Sequence, residues 1–115
     1  MQSIFIPGRF PGLNEMINSA RTHWAKSAQE KKKHTERVYY HCLHLKSVPE
    51  VDFCFTWYEK NRMRDPDNIM AAQKYIFDGL IMAKVIKNDG WKEIKSITHK
   101  FEVGGPGVLI EIMEE

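Results

Sequence analysis

Apolar residues along this chain recur with two different periods, and each change of period marks an element. Ser3-Ile4-Phe5-Ile6 predicts a short first strand, which Pro7, Gly8, Pro11 and Gly12 then break. From about Asn14 to Leu45 the character is helical, with a break expected near Arg21–Thr22. Val38, Cys42 and Leu45, joined by Tyr39 and Leu43, give the later part an apolar stripe. The earlier part, SAQEKKKHTER, has little to bury, and Pro49 ends the helix. Val51 to Tyr58 is rich in aromatic residues and gives the strongest strand signal. A basic loop, Lys60-Asn61-Arg62-Met63-Arg64, leads to a second helix predicted from about Pro66 to Ala83. There Ile69, Ile76 and Leu80, with Met70, Phe77 and Ile81, keep the helical period. A turn at Asn88-Asp89-Gly90 precedes two more strands, Glu93 to Val103 and Val108 to Met113. Gly104-Gly105-Pro106-Gly107 is the expected hairpin connection between them. The order β-α-β-α-β-β predicts an α/β (α+β) fold: a small mixed sheet packed with two main helices.

A length of 115 residues suits one domain over 1–115. No apolar run approaches the ~20 residues of a membrane span. The start MQSIFIPGRF also lacks the layout of a signal peptide, so a cytoplasmic protein without a membrane partner is expected. Cys42 and Cys54 lack CxxC or CxxH partners and read as free, buried thiols in a reducing compartment. The net charge of +2 conceals an asymmetry. Between positions 21 and 46, Arg21, Lys26, Lys31, Lys32, Lys33, Arg37 and Lys46 face only Glu30 and Glu36, a local charge of +5 that leaves −3 elsewhere. Such a segment is either a solvated helix face or a polyanion-binding surface.

Candidate chemistry centres on Arg64-Asp65-Pro66-Asp67-Asn68. Pro66 suits a first helical position, Asp65 the N-cap and Asp67 the first turn, so helix capping alone accounts for the pattern. The same geometry can aim two carboxylates at a hard cation such as Mg²⁺. Asp89 is the candidate third acid, with an ordinary Asp-Gly turn as its alternative. Asp67, Ala71, Lys74 and Asp78 lie on one stripe of the predicted helix, with the Lys74 ammonium expected to lean back toward the acidic end. The alternative for Lys74 is a surface ion pair with Asp78. Three acids and a lysine beside Arg62, Arg64 and a basic helix make a coherent phosphodiesterase site. His34, Arg37, His41 and His44 form a stripe that reads as basic and solvated or DNA-facing rather than as a zinc set. Trp24, Trp57 and Trp91 read as core or dimer interface before base-stacking platforms.

Three segments then carry a resemblance. They are Arg64-Asp65-Pro66-Asp67-Asn68-Ile69, Lys74-Tyr75-Ile76-Phe77-Asp78-Gly79-Leu80 and Val85-Ile86-Lys87-Asn88-Asp89. Together they resemble the RusA family of Holliday-junction resolvases, DNA endonucleases common in phages and prophages. Ile6-Pro7-Gly8 to Leu13-Asn14-Glu15 is similar to the family's opening strand and Pro/Asn segment. The resemblance implies a small homodimer whose Mg²⁺-dependent sites nick opposed strands of a four-way junction in recombination and repair. It places metal-binding aspartates on Asp65, Asp67 and Asp89 and the catalytic lysine on Lys74. Asn68 matches the motif asparagine, and Mn²⁺ is expected to substitute for Mg²⁺. Nucleic-acid contacts are expected from Lys31, Lys32, Lys33, Arg37, Arg62, Arg64 and Asn68. The interface is expected from the Phe77/Ile81 helix face or from the Gly-rich hairpin.

The chain departs from the family pattern in three places. Asn88-Asp89 stands where Asp-Asp is frequent, and Lys84 where a helix-ending glycine is common. The gap from Asp67 to Lys74 is longer by close to one helical turn. Two other functions are compatible with the same acids: a catalytically weak branched-DNA-binding protein, and a metal-dependent nuclease acting on flap DNA or RNA.

Overall fold

The computed structural model describes residues 1–114. The elements are β1 (Gln2–Pro7), α1 (Leu13–Thr22), α2 (Trp24–Cys42), β2 (Val51–Glu59), α3 (Pro66–Met70), α4 (Gln73–Met82), β3 (Ile94–Val103) and β4 (Gly107–Glu114). The mixed α+β character matches the expectation from periodicity. Among the described residues no helix is long and apolar enough to cross a membrane. Cys42 and Cys54 are free and buried.

The four strands form one sheet in the order β1-β4-β2-β3. β4 runs antiparallel to both β1 and β2, whereas β3 runs parallel to β2. The last two strands are therefore not a hairpin, because β2 lies between them. Gly104 to Pro106 crosses the end of β2 instead, with the Gly104 N–H donating to the Glu59 carbonyl at 2.9 Å. The reason is burial. Val51, Phe53, Phe55 and Trp57 make β2 the most apolar strand, and the central position removes it from water on both edges.

Alternate residues of the sheet meet the helices in a single core. Phe53, Phe55 and Trp57 of β2 and Ile110 and Ile112 of β4 pack with Val38 of α2 and Ile76 and Leu80 of α4. Phe77 lies 5.4 Å from Phe53 and 5.7 Å from Phe55, ring to ring. It is buried in the core of the chain and not on an open helix face, where a dimer interface was expected to use it. Trp57 is also core, whereas Trp24 and Trp91 are 81% and 97% exposed, so neither is buried within the chain. At Gly79 the helices approach so closely that a Cβ would lie 2.5 Å from Val38 Cβ.

The helices end where local chemistry predicts, with one exception. His23 is non-helical (φ −146°, ψ 79°) and separates α1 from α2, beside the expected break at Arg21–Thr22. The predicted helix over 66–83 is instead two helices. The N–H groups of Ala72, Lys74 and Tyr75 bond three residues back, tightening the chain at Ala71-Ala72. Nothing in Ala-Ala-Gln disfavours a helix. The break coincides with tertiary contacts: Ala72 is fully buried, and Gln73 bonds His99 of β3.

α4 closes with paired bonds, Lys84 N–H to Ile81 O (3.0 Å) and Val85 N–H to Leu80 O (2.9 Å). This is a Schellman motif, and Val85 and Leu80 are both buried beside it. The motif requires a left-handed residue, and Lys84 supplies it at φ 61°. A side chain with a Cβ is strained there. Lys84→Gly is expected to stabilise the fold by about 1 kcal/mol, raising the thermal midpoint by a few degrees. A midpoint that is unchanged or lower by calorimetry contradicts the left-handed cap.

Candidate active site

The segment carrying Asp65 is held by a charged network. β2 ends at Glu59, and the chain returns through Arg64 to the start of α3. Arg64 donates Nε–H to Glu59 Oε1 (2.8 Å) and Nη2–H to Glu59 Oε2 (2.9 Å), a bidentate pair. Its Nη1 reaches the Phe10 carbonyl (3.1 Å) and Glu15 Oε1 (3.5 Å). Glu15 is also gripped by Arg9, whose hydrogen bonds hold the carboxyl below its usual range. Arg64 is thus a structural tie between the end of β2 and the start of α1. Its fork, expected to meet a phosphate backbone, is engaged by Glu59 in this structure.

Asn68 has a structural role of the same kind. Gly12 precedes α1 and has no side chain to cap it, so Asn68 Oδ1 accepts the Asn14 N–H at 3.0 Å from across the fold. A Cβ at Gly12 would lie 2.5 Å from that oxygen, which explains the glycine. Arg37 is likewise occupied. Its guanidinium sits 3.9 Å over the Phe10 ring and donates to the carbonyls of Pro7 (2.6 Å) and Arg9 (3.1 Å). Half-buried beside His34, it anchors the turn after β1 rather than facing solvent, and the His34–Arg37 stripe is not a free basic surface. Gly8, with φ 100°, makes that turn possible. Lys31, Lys32, Lys33 and Arg62 remain exposed, with Lys32 near Glu36 at 4.0 Å.

The acids fall into two sets. Asp65 is the extended N-cap residue of α3 with Pro66 at the first helical position, and its side chain makes no capping bond. Asp67 Oδ1 accepts the N–H of Asn68 (2.9 Å). Both are exposed, and no cation pairs with either among the described residues. The second set is joined by Lys74, whose ammonium lies 3.1 Å from Asp78 Oδ1 and 3.6 Å from Asp89 Oδ2. Lys74 and Asp89 do meet, as the sequence pattern expects. The ammonium turns to Asp78 and Asp89 and not back toward Asp67. The hydrogen bond that its ammonium donates to Asp78, then the negative charges of Asp78 and Asp89, hold its pKa above the ordinary lysine value. Among the described residues no three acidic, histidine or cysteine side chains stand close enough together to hold one ion. Asp65, Asp67 and Asp89 are not gathered into a closed ligand set.

Asp78 is legible in the sequence as the i+4 neighbour of Lys74 and as part of the segment that carries the resemblance, whereas the Arg9–Glu15–Arg64–Glu59 network is not legible at all. A further link connects α4 to the sheet. Trp57 Nε1–H donates to His99 Nδ1 at 2.9 Å, which leaves His99 Nε2–H to donate to Gln73 Oε1 at 3.2 Å. Gln73 immediately precedes Lys74. Comparison with protein-family models and with curated proteins finds no match for this chain.

Burial lowers the pKa of both His99 and His34 below the ordinary 6.5. The unfolded chain therefore binds their protons at a higher pH than the folded one. Their contribution to stability is intact above pH 6.5 and is lost as pH falls through the lowered folded values. The expected outcome is a thermal midpoint that drops from pH 7.5 to pH 5, with a smaller drop in His99→Gln. Equal pH dependence in the two proteins would exclude His99 as a source.

Proposed function

We propose that this chain is a Mg²⁺-dependent DNA endonuclease of the RusA type, nicking four-way junctions as a homodimer. The observation that carries the reading is the meeting of Lys74, in the first turn of α4, with Asp89 at 3.6 Å. A helix residue and a turn residue stand together, which supports the paired roles that the resemblance gives them. Asp65 and Asp67 add exposed hard-oxygen donors without a competing cation, which suits Mg²⁺ in ligand type. Asp65 and Asp67 would hold the ion; Asp89, which the resemblance makes the third donor, is paired with Lys74 and stands apart from them here. Bound there, the ion would activate water and stabilise the leaving oxygen.

The chain's own groups have separable parts. Asp65 and Asp67 present negative charge from a segment tied down by Arg64. Lys74 supplies a fixed positive charge beside Asp89, suited to the charge that develops on a phosphate oxygen during cleavage. The exposed Lys31, Lys32, Lys33 and Arg62 attract the backbone, a contact that weakens with salt. One protomer carries one such set, and paired symmetric cuts need two, which a two-fold dimer supplies.

A synthetic all-DNA four-way junction beside a linear duplex tests the reading. Mg²⁺ is expected to support paired nicks in the junction, with the duplex spared and excess EDTA stopping the reaction. Cleavage undiminished by EDTA, or confined to RNA, defeats it. Asp89→Asn is expected to lower cleavage by ~100-fold or more, while junction binding in EDTA persists or tightens and the thermal midpoint barely moves. Near-normal nicking by that variant returns Asp89 to a turn residue.

A further inference from the structure

The nuclease reading leaves Asp78 without a part, yet Asp78 is the nearer partner of Lys74, at 3.1 Å against 3.6 Å for Asp89. We propose that Asp78 is a positioning residue: its carboxylate anchors the Lys74 ammonium so that it faces Asp89. This rests on the proposed nuclease site.

A surface pair at i,i+4 spacing ordinarily holds little, because both side chains are free to leave it. Asp78 is different on two counts. Its backbone is immobilised on either side, by Phe77 packed against Phe53 and Phe55 and by Gly79 pressed against Val38. Its side chain is only 21% exposed, whereas that of Lys74 is 58% exposed. Asp89 lies beyond the helix in a segment of turns and bends, with its own N–H bonded to the neighbouring Asn88 side chain. The Asp89 side chain is itself 29% exposed, so what sets Asp78 apart is the core packing of the helix residues on either side of it. Lys74 has a flexible four-carbon stem and needs such an anchor to stay near one place. The shared ammonium also lets two like charges stand close together, since it screens Asp78 from Asp89.

The test is a double-mutant cycle with Lys74→Met and Asp78→Asn, read as junction cleavage and as junction binding. Asp78→Asn is expected to lower kcat by ~10- to 100-fold, the scale of a misplaced catalytic group, with KM and the thermal midpoint little changed. Asp78→Glu, which keeps the charge, is expected to recover part of that loss. The double variant is expected to be no worse than Lys74→Met alone, because Asp78 acts through Lys74. Additive losses, or a loss that tracks a fallen midpoint, overturn the proposal. A second measurement is independent of cleavage: the NMR order parameter of the Lys74 ¹⁵Nζ. It is expected to fall in Asp78→Asn and to hold in Asp89→Asn. Equal falls, or a fall only in Asp89→Asn, overturn the anchoring role. A wild-type protein that does not cleave defeats the nuclease reading, and the order parameters then decide the anchoring by themselves.

Discussion

The bidentate grip of Arg64 on Glu59 is the constraint on which the geometry of the candidate site depends. Both side chains are largely out of water, at 16% and 17% exposure. A charge so placed is tolerable only while its partner and hydrogen bonds are in place. Arg64 meets that demand from three directions: the end of β2 through Glu59, the chain before α1 through the Phe10 carbonyl, and α1 itself through Glu15. The next residue is Asp65. The first candidate acid is thus set by a salt-bridge network rather than by a helix cap, and the loop that carries it closes against α1.

A second constraint sets the other half of the site. α4 is held against α2 by the missing side chain of Gly79 and against β2 by Phe77. These contacts fix the rotation of α4, and with it the direction of Lys74 and Asp78. A tight turn at Ala71-Ala72 separates α4 from α3, so the two acidic sets sit on different helices. Asp65 and Asp67 answer to the network around Arg64, and Lys74, Asp78 and Asp89 answer to the packing of α4. A hard cation would have to join two groups that the fold holds by separate means.

Charge is also divided between structure and surface in a way that composition does not reveal. Of the basic residues that sequence assigns to nucleic acid, Arg37 and Arg64 are committed to carbonyls and carboxylates inside the fold. Lys31, Lys32, Lys33 and Arg62 keep their heads in solvent. The split follows side-chain chemistry. Guanidinium offers five donors in a planar fork and satisfies several carbonyls at once, whereas ammonium is more strongly hydrated and stays outside.

Several features were readable in the chain because they are local. Apolar period and aromatic content located the strands and the helical stretches. Pro66 after Asp65 marked the start of α3, and the resemblance, which puts a helix-ending glycine at the position of Lys84, pointed to the left-handed residue found there. The pairing of Lys74 with Asp78 follows from helical spacing alone. Only the tertiary structure decided the rest. β3 pairs with β2 and not with β4, because strand order depends on which strand gains most from burial and not on which is next in the chain. α3 and α4 part at residues that favour a helix, where the buried Ala72 and the Gln73–His99 contact enter the balance. Asn68 caps α1 from the far side of the sequence because Gly12 leaves the place open. Each of these is a choice among long-range partners, and local periodicity carries no information about which partner is near.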